Sequence, residues 1–343
     1  MRIATYNVEW FDVLFDDDGR LVADDSWSVR HDVTKAMQIE ALGIVFTAMD
    51  ADAVLVIEAP DTNRRRDTVR ALETFASVFD LRACKAVMGF ANDTRQEIAL
   101  MYDPVMLSAA HDPKGPAPVP GMPPGEGAPR FDGTFRIDLD VDATEDKVVF
   151  SKPPFEVAMT VRATGQMIRL IGTHLKSKAP HGAANRNDVM RLSIANRRKQ
   201  LAQAIWVRAR VEEHLAKAEP VILLGDLNDG PGLDEYEDLF GRSSVEIVLG
   251  RGDLALFDPH AARALSRRIV AQPTTARFYI PQEERYLQAL LDYVMVSPDL
   301  RAEARRWRIW HPFDDPACWT APELRQALLT GSDHYPVSLD IDL

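Results

Sequence analysis

The chain has 343 residues and a formal net charge of -12 at neutral pH, with 46% hydrophobic and 27% charged residues. This composition is typical of a globular protein and excludes a disordered chain, and the length is sufficient for a substantial hydrophobic core. The acidic balance argues against high-affinity, non-specific binding of long duplex DNA, but it leaves open a local basic groove or a divalent metal as the main positive charge.

Strands and helices alternate along the first hundred residues. The pattern predicts strands at 3–8, 53–57, 82–87 and 97–102, helices at 32–49 and 64–79, and a polar turn at 89–96. The first strand contains Asn7 near its end. The second is a continuous apolar run that stops at Glu58, and a carboxylate at the end of a buried strand is seldom without a partner. An acidic loop is predicted at 11–30, and it contains Asp12, Asp16, Asp17, Asp18, Asp24 and Asp25.

The same alternation continues to the other end of the chain. Strands are predicted at 148–150, 156–161, 167–172, 221–224, 254–257, 288–296 and 337–339, with a long helix at 193–217. A Pro- and Gly-rich segment at about 111–130 predicts a surface loop inserted between strands. The simplest interpretation of the basic residues on the long helix, Arg197, Arg198, Lys199, Arg208 and Arg210, is a solvated helix face. Because strands and helices interleave without a break, residues 1–343 are predicted to form one domain.

Polar residues that can bind a metal or a phosphate follow several of these strands. They are Asn7, Glu58, His174, Asp226 with Asn228, and Asp333 with His334, while Asp292 is expected inside a sixth strand. Each alone has an ordinary explanation, such as a turn, a backbone cap or a structural histidine. Six in one α/β chain indicate convergence on one rim of a sheet, where such folds place their sites.

The segments around these residues resemble the ordered motifs of a known superfamily. The segments are Thr5-Tyr6-Asn7-Val8, Val56-Ile57-Glu58, Gly172-Thr173-His174-Leu175, Gly225-Asp226-Leu227-Asn228, Leu291-Asp292-Tyr293-Val294 and Ser332-Asp333-His334-Tyr335-Pro336-Val337. They are similar, in this order, to the motifs of the endonuclease/exonuclease/phosphatase (DNase I-like) superfamily, and most similar to bacterial nuclease-like members without an assigned substrate. The resemblance implies a four-layer α/β sandwich, in which two packed mixed β-sheets are flanked by helices, and metal-dependent cleavage of a phosphate ester.

The resemblance also implies a role for each motif residue. Glu58, Asn7 and Asp333 would bind the metal, Mg²⁺ or Mn²⁺ with Ca²⁺ as a further candidate, because hard cations take oxygen ligands. Asp226 would activate the attacking water, and Asn228 would hold that water or a phosphate oxygen. Asp292 would orient His334, and His174 would donate a hydrogen bond to the phosphate. The candidate substrate-binding residues are Lys176, Arg95 and Lys152.

The resulting prediction is a metal-dependent phosphodiesterase of the nuclease type, with a phosphodiester, such as nucleic acid, as substrate. A phosphatase or sphingomyelinase-like enzyme directed at phospholipids or sugar phosphates is the first alternative, and an inactive binding protein is the second. The acidic loop is expected near the site, where it would disfavour long duplex DNA. No obligate protein partner is evident. Two cysteines offer no disulfide framework, and neither a membrane span nor a signal peptide is evident, so a cytoplasmic location is expected.

Overall fold

The computed structural model describes residues 1–118, 127–138, 145–179, 182, 185–233, 237–266, 271–280 and 284–343. The strands are β1 Arg2–Asn7, β2 Ala53–Ala59, β3 Lys85–Met88, β4 Glu97–Tyr102, β5 Leu107–His111, β6 Phe135–Ile137, β7 Asp146–Val148, β8 Phe155–Val161, β9 Met167–His174, β10 Val221–Asp226, β11 Ala276–Ile280, β12 Arg285–Ala289, β13 Asp292–Val296, β14 Ala304–Ile309 and β15 Val337–Ile341. The helices are α1 Lys35–Met49, α2 Thr68–Val78, α3 Arg186–Leu215, α4 Glu237–Phe240, α5 Ser244–Leu249, α6 Pro259–Leu265, α7 Pro316–Thr320 and α8 Pro322–Gly331.

Most of the strands form two mixed sheets. The first sheet has six strands in the order β14-β15-β1-β2-β4-β3, and the second has five in the order β13-β10-β9-β8-β5. The only parallel neighbours among these described strands are β1 with β2 and β9 with β10. Two short hairpins, β11-β12 and β6-β7, lie outside the two sheets.

The two sheets pack face to face because their strands are apolar on both sides. Leu55 of the first sheet and Leu170 and Val294 of the second sheet belong to one buried cluster between the sheets. Tyr6, on the opposite face of the first sheet, packs with α1, α2 and α8. Ile171, on the opposite face of the second sheet, packs with α3, α5 and α6. The predicted four-layer α/β sandwich is therefore confirmed.

The long helix differs from its prediction in both length and environment. It starts at Arg186, seven residues before the predicted start, and the Asn185 side chain caps it by accepting from the backbone N–H of Asp188. The predicted solvated basic face is wrong, because Arg197 and Arg210 are each only 1% exposed. The end of the Pro- and Gly-rich segment covers Arg210, whose guanidinium donates to the Ala128 carbonyl at 2.7 Å.

Two predicted strands near the carboxyl end are also wrong. The predicted strand at 254–257 is replaced by a short 3-10 helix, Gly252–Leu254, and a single bridge between Phe257 and Val296. The predicted strand at 288–296 is two strands, because Leu290 and Leu291 separate the hairpin strand β12 from β13 of the second sheet. Asp292 is consequently the first residue of β13 rather than a residue inside a strand.

The remaining predictions concern larger features of the chain. Of the predicted loop insertion at about 111–130, residues 119–126 lie outside the described residues. The acidic loop at 11–30 contains a 3-10 helix, Phe11–Leu14, in which Asp12 is buried. No helix in the described ranges combines the length and the apolar character needed to cross a membrane. The single domain over 1–343 and the cytoplasmic location stay predictions.

Candidate active site

The candidate site lies where strand ends of the two sheets meet. Asn7 is the last residue of β1, and Glu58 is the penultimate residue of β2, its parallel neighbour. His174 and Asp226 are the last residues of β9 and β10, and the parallel register places them side by side. Asp226 is also directly opposite Asp292 in the antiparallel pair of β10 and β13. Sheet topology alone therefore brings together residues that are far apart in sequence.

Asp226 is at the centre of this cluster and is only 1% exposed. Its Oδ2 accepts a hydrogen bond from Asn7 Nδ2 at 3.2 Å and from Asn228 Nδ2 at 3.1 Å, and its Oδ1 accepts from the Asn228 backbone N–H at 2.7 Å. Burial, and secondarily the neighbouring Asp292, raise the pKa of Asp226 to about 7. A carboxylate with such a pKa can take up and release a proton near neutral pH.

Asn228 and Glu58 both have left-handed backbone conformations, with φ of 50° and 61°. Asn tolerates this conformation, and here the Asn228 side chain also donates to the Leu175 carbonyl at 3.1 Å. Glu58 lies at a register shift between β2 and β4, and such a bulge redirects a side chain. Its Oε2 accepts from the Trp10 backbone N–H at 3.1 Å, and burial raises the pKa of its carboxyl.

His334 and Asp292 form a buried carboxylate–imidazole pair. His334 Nδ1 lies 2.7 Å from Asp292 Oδ2, which also accepts from the Thr275 hydroxyl at 2.8 Å. Burial alone would lower the pKa of His334, but the Asp292 carboxylate outweighs it and raises that pKa to about 10. The imidazole is therefore charged at neutral pH.

The pKa of His174 is shifted in the opposite direction from that of His334. Burial, followed by the nearby Lys152 and His334, lowers the pKa of His174 well below its ordinary value. Its Nε2 lies 3.0 Å from Lys152 Nζ, which also donates to Gln96 Oε1 at 2.7 Å. Lys152, one of the predicted substrate-binding residues, thus lies inside the cluster.

Asp333 lies at the edge of the cluster and is about a quarter exposed, with a side-chain exposure of 24%. Its backbone N–H donates to Glu9 Oε2 at 3.2 Å, and Glu9 is in turn paired with Arg30. Because Arg30 ends the acidic loop, that end of the loop is adjacent to the site. In the middle of the same loop, Asp17 pairs with Arg65 at 2.8 Å.

The structure does not place all the predicted substrate-binding residues in the cluster. Arg95 is exposed in a turn, and within the described ranges no hydrogen bond or ion pair joins it to the other predicted site residues. Its neighbour Gln96 makes the contact with Lys152 instead. Lys176 is half-buried next to His174, and α3 holds its backbone: Gln203 Oε1 accepts from its N–H at 2.9 Å, and Gln200 Nε2 donates to its carbonyl at 2.8 Å.

Sequence reasoning missed Thr275, Gln96 and Glu9, which support the cluster through hydrogen bonds. Thr275 belongs to no motif, and only the folded structure brings it to Asp292. Gln96 also belongs to none of the motifs. The polar character of the turn at 89–96 was the one sequence feature that could have pointed to it.

The donor set suits a hard divalent cation. Glu58, Asp226, Asp292 and Asp333 supply four carboxylates, and the cationic groups among them are Lys152 and His334. Asp292 Oδ1 is buried without a hydrogen-bond partner within the described residues. Ligand atoms of Asp226, Asp292 and His334 lie within 4.8 Å of one another. His334 is the least suitable ligand of these, because Asp292 keeps it protonated and a metal binds the neutral imidazole.

This combination of fold and site matches a family of phosphoesterases. The model of the Endonuclease/Exonuclease/phosphatase family matches residues 4–334, and the chain belongs to this family, whose members hydrolyse phosphate esters. No protein of curated function matches the chain at a significant level.

Solved structures share the fold at low sequence identity. A mannosyl-6-phosphatase of Bacteroides thetaiotaomicron VPI-5482 superposes with a TM-score of 0.51 at 14% identity, covering 100% of both chains. An endonuclease/exonuclease/phosphatase family protein from Bacteroides thetaiotaomicron gives a TM-score of 0.52 at 16% identity, over 100% of this chain and 98% of that one. A 3′ phosphatase from Neisseria, bound to a product DNA hairpin, gives a TM-score of 0.51 at 15% identity over 100% of both chains. At these identities the likeness shows the fold alone.

Proposed function

We propose that the protein is a phosphodiesterase that uses Mg²⁺ or Mn²⁺ and acts on nucleotidyl esters, including single-stranded nucleic acid. The observation that carries the proposal is the buried arrangement of Asp226, with a pKa of about 7, opposite the charged His334–Asp292 pair. The Asp226 carboxylate can accept a proton, and the His334 imidazolium presents positive charge to an anionic reacting group. Hydrolysis of a phosphate ester needs both.

Each residue then has a defined task. Asp226 accepts the proton of the attacking water, and Asn7 and Asn228 orient its carboxylate through the hydrogen bonds to Oδ2. The His334 imidazolium stabilises negative charge on the phosphoryl oxygens. Lys152 supplies a second cation next to His174, where the two can bind a non-bridging oxygen.

Glu58, Asn7 and Asp333 would hold the metal ion, with Asp226 and Asp292 close to it. When bound, the ion neutralises phosphate charge and lowers the pKa of water. The four carboxylates outnumber the two cationic groups, and this excess of acids supports a site for a divalent ion.

The rim of the site favours a nucleotidyl substrate over a lipid. Phe278 of the β11-β12 hairpin lies 5.5 Å from the His334 ring, centroid to centroid. On the same hairpin the Arg277 guanidinium stacks 3.6 Å from the Tyr286 ring centre, and Tyr279 lies 5.2 Å from Tyr286. Phe278 is the hairpin side chain that contacts the site, while Arg277, Tyr279 and Tyr286 extend an aromatic and cationic surface along the same hairpin. Such surfaces bind bases of single-stranded nucleic acid.

A substrate panel tests the proposal. Purified wild-type protein with Mn²⁺ is assayed on plasmid, single-stranded DNA, RNA, a chromogenic phosphodiester and a phosphomonoester, beside Asp226→Asn. We expect cleavage of single-stranded nucleic acid and of the diester, with a loss of at least about a thousandfold in Asp226→Asn, of the size found for essential catalytic groups. Cleavage of the monoester alone would identify the phosphatase alternative instead. Equal rates for wild type and variant on every substrate would refute the catalytic assignment.

Metal binding is tested without an activity readout. A ligand at a hundred times its Kd stabilises the folded state by about 2.7 kcal/mol, so Mg²⁺ or Mn²⁺ should raise the thermal midpoint. Glu58→Gln should lose most of this increment, while Asp18→Asn, an exposed acid of the loop, should keep it. An increment that is the same in both variants would remove Glu58 from the metal site.

A further inference from the structure

Lys176 lies beside the candidate site in a backbone segment that two side chains of α3 hold in place. It follows His174, the last residue of β9, by two positions. Buried Gln200 and Gln203 of α3 bind its carbonyl and its N–H, at 2.8 Å and 2.9 Å. A flexible surface lysine has no need of such an anchor, whereas a ligand-binding lysine gains from one because its stem is positioned in advance.

A second lysine, Lys199, flanks the first. It precedes Gln200 by one residue and Gln203 by four, and residues four apart share one face of a helix. Lys199 is therefore next to the glutamine that binds the Lys176 backbone. Burial and the charge of Lys199 both lower the pKa of the Lys176 ammonium.

The basic residues nearest to Lys176 and Lys199 in sequence, Lys178 and Arg198, have carboxylate partners. Lys178 pairs with Asp229, and Arg198 Nη2 lies 2.7 Å from Asp146 Oδ2. For Lys176 and Lys199, no carboxylate forms an ion pair with either within the ranges that the structure describes. Two like charges placed together without an acid destabilise the free protein, and a bound anion removes that cost.

We propose that Lys176 and Lys199 form a second phosphate subsite, which binds a substrate phosphate one link away from the phosphate that is cleaved. This inference rests on the proposed phosphodiesterase function. Two residues of extended chain span about 6.6 Å, a separation of the order of that between consecutive phosphates in a nucleic-acid strand. The ligand is a phosphate on the same substrate, either the next phosphodiester of an oligonucleotide or a terminal phosphate of a nucleotide.

The test compares two chromogenic substrates that differ by one phosphate. Thymidine 5′-(4-nitrophenyl phosphate) is assayed with and without a 3′-phosphate, so both release the same 4-nitrophenolate. We expect wild type to prefer the 3′-phosphorylated substrate in kcat/KM by roughly three- to tenfold, the range for a partly exposed charge-assisted contact. Lys199→Gln should lose that preference. Lys217→Gln, an exposed lysine beyond the other end of α3, makes the same change of charge and should keep it.

Two outcomes separate the inference from the proposed function. If wild type cleaves both substrates equally well and Lys199→Gln matches Lys217→Gln, the subsite is refuted and the phosphodiesterase remains. If wild type cleaves neither, the proposed function fails, and calorimetric titration with thymidine 3′,5′-bisphosphate and thymidine 5′-phosphate decides the subsite. Tighter binding of the bisphosphate that is lost in Lys199→Gln supports it, and equal binding of the two ligands overturns it.

A methyl ester on the 3′-phosphate then identifies the source of the second phosphate. If the methylated substrate keeps the preference, the subsite accepts a backbone phosphodiester of an oligonucleotide. If methylation abolishes the preference while the free 3′-phosphate retains it, the subsite binds terminal phosphates. Both results support a second phosphate subsite and differ only in what supplies its ligand.

Discussion

Thr275 makes the hydrogen bonds that hold Asp292 in place, and this leads to a sharp prediction. Its hydroxyl donates to Asp292 Oδ2 at 2.8 Å and accepts from the backbone N–H groups of Leu291 and Asp292, at 3.0 Å each. Thr275 itself is fully buried, with 0% exposure. We expect Thr275→Val, which preserves the branched shape of the side chain, to remove all three hydrogen bonds without opening a cavity.

The expected loss of stability follows from those three bonds. A buried N–H without a partner costs about 1–3 kcal/mol, and a hydrogen bond to a charged carboxylate contributes about 1.5–3 kcal/mol. The new methyl group recovers less than about 1 kcal/mol, and contributions made by one hydroxyl do not add fully. We therefore expect a net loss of about 3 kcal/mol. With an unfolding entropy of about 2.1 cal/mol/K per residue over the whole chain, the Tm should fall by about 4 °C.

Thr275→Ser is the matched control, because it keeps the hydroxyl and loses only a methyl group. Denaturant unfolding at a constant m value measures stability, and kcat/KM on the chromogenic diester measures activity. The valine variant should also lose about ten- to a hundredfold in kcat, since Asp292 no longer fixes the ring of His334. If the valine and serine variants agree in both measurements, Thr275 does not position Asp292.

Three further predictions concern other buried polar side chains. Burial raises the pKa of Glu97 to about 7 from 4.5, so the folded state holds a proton more tightly, and stability should fall as pH rises through that window, by up to about 3 kcal/mol. Glu97→Gln should show a smaller fall in stability than wild type between pH 5 and 8, and the fall that remains belongs to other groups such as Asp226, whose pKa is also about 7. Lys152→Met should reduce kcat/KM by about ten- to a hundredfold and raise the pKa of His174, measured by NMR titration, whereas Lys152→Arg should keep that pKa low. Gln200 Nε2 donates to the carbonyls of Lys176, Leu227 and Asn228 at 2.8, 3.3 and 2.9 Å, and Gln200→Leu should cost about 2–4 kcal/mol in denaturant unfolding. If Gln200→Leu had the same denaturation midpoint as wild type, the hydrogen bonds of Gln200 would not be needed to hold the loops after β9 and β10.

The sequence predicted the features that depend on local pattern. The runs before Glu58 and Asp226 consist of adjacent apolar residues, because these strands are covered on both faces in a four-layer fold. Such a run is visible without knowledge of its neighbours. The prediction of a rim of strand ends followed from the same property, since each run stops where the backbone leaves the core.

Features set by distant partners could not be predicted in this way. Arg210 has the sequence context of a solvated helix, yet it is buried because Ala128, 82 residues away, accepts its hydrogen bond. The break between β12 and β13 occurs within an unbroken apolar run, and only the change of sheet separates them. Lys152 precedes β8, and its place beside His174 depends on contacts with the end of β9 and with the turn that contains Gln96.

Two hydrogen-bonded pairs of site residues explain why the positions of the strand ends alone did not predict the geometry of the site. Asn7 contacts Asp226 at 3.2 Å, and His334, just before β15, contacts Asp292 at 2.7 Å. Each pair joins a residue of the first sheet, or its flanking loop, to a residue of the second sheet. The geometry of the site is therefore set by the distance between the sheets rather than by either sheet.

That distance is controlled in the apolar layer below the site. Gly172 of β9 faces the first sheet, and a Cβ at this position would lie 2.7 Å from Leu55 Cδ1 and 3.2 Å from Ile98 Cγ2. Gly172 is only two residues before His174, so a side chain here would displace Leu55 or push β9 away from the first sheet beside the site. The glycine serves close packing at this position, since its backbone conformation is an ordinary one. The motif that begins at Gly172 therefore has two roles in one strand. Gly172 allows the two sheets to approach closely, and because they do, His174 Nε2 lies 4.0 Å from Glu58 Oε1.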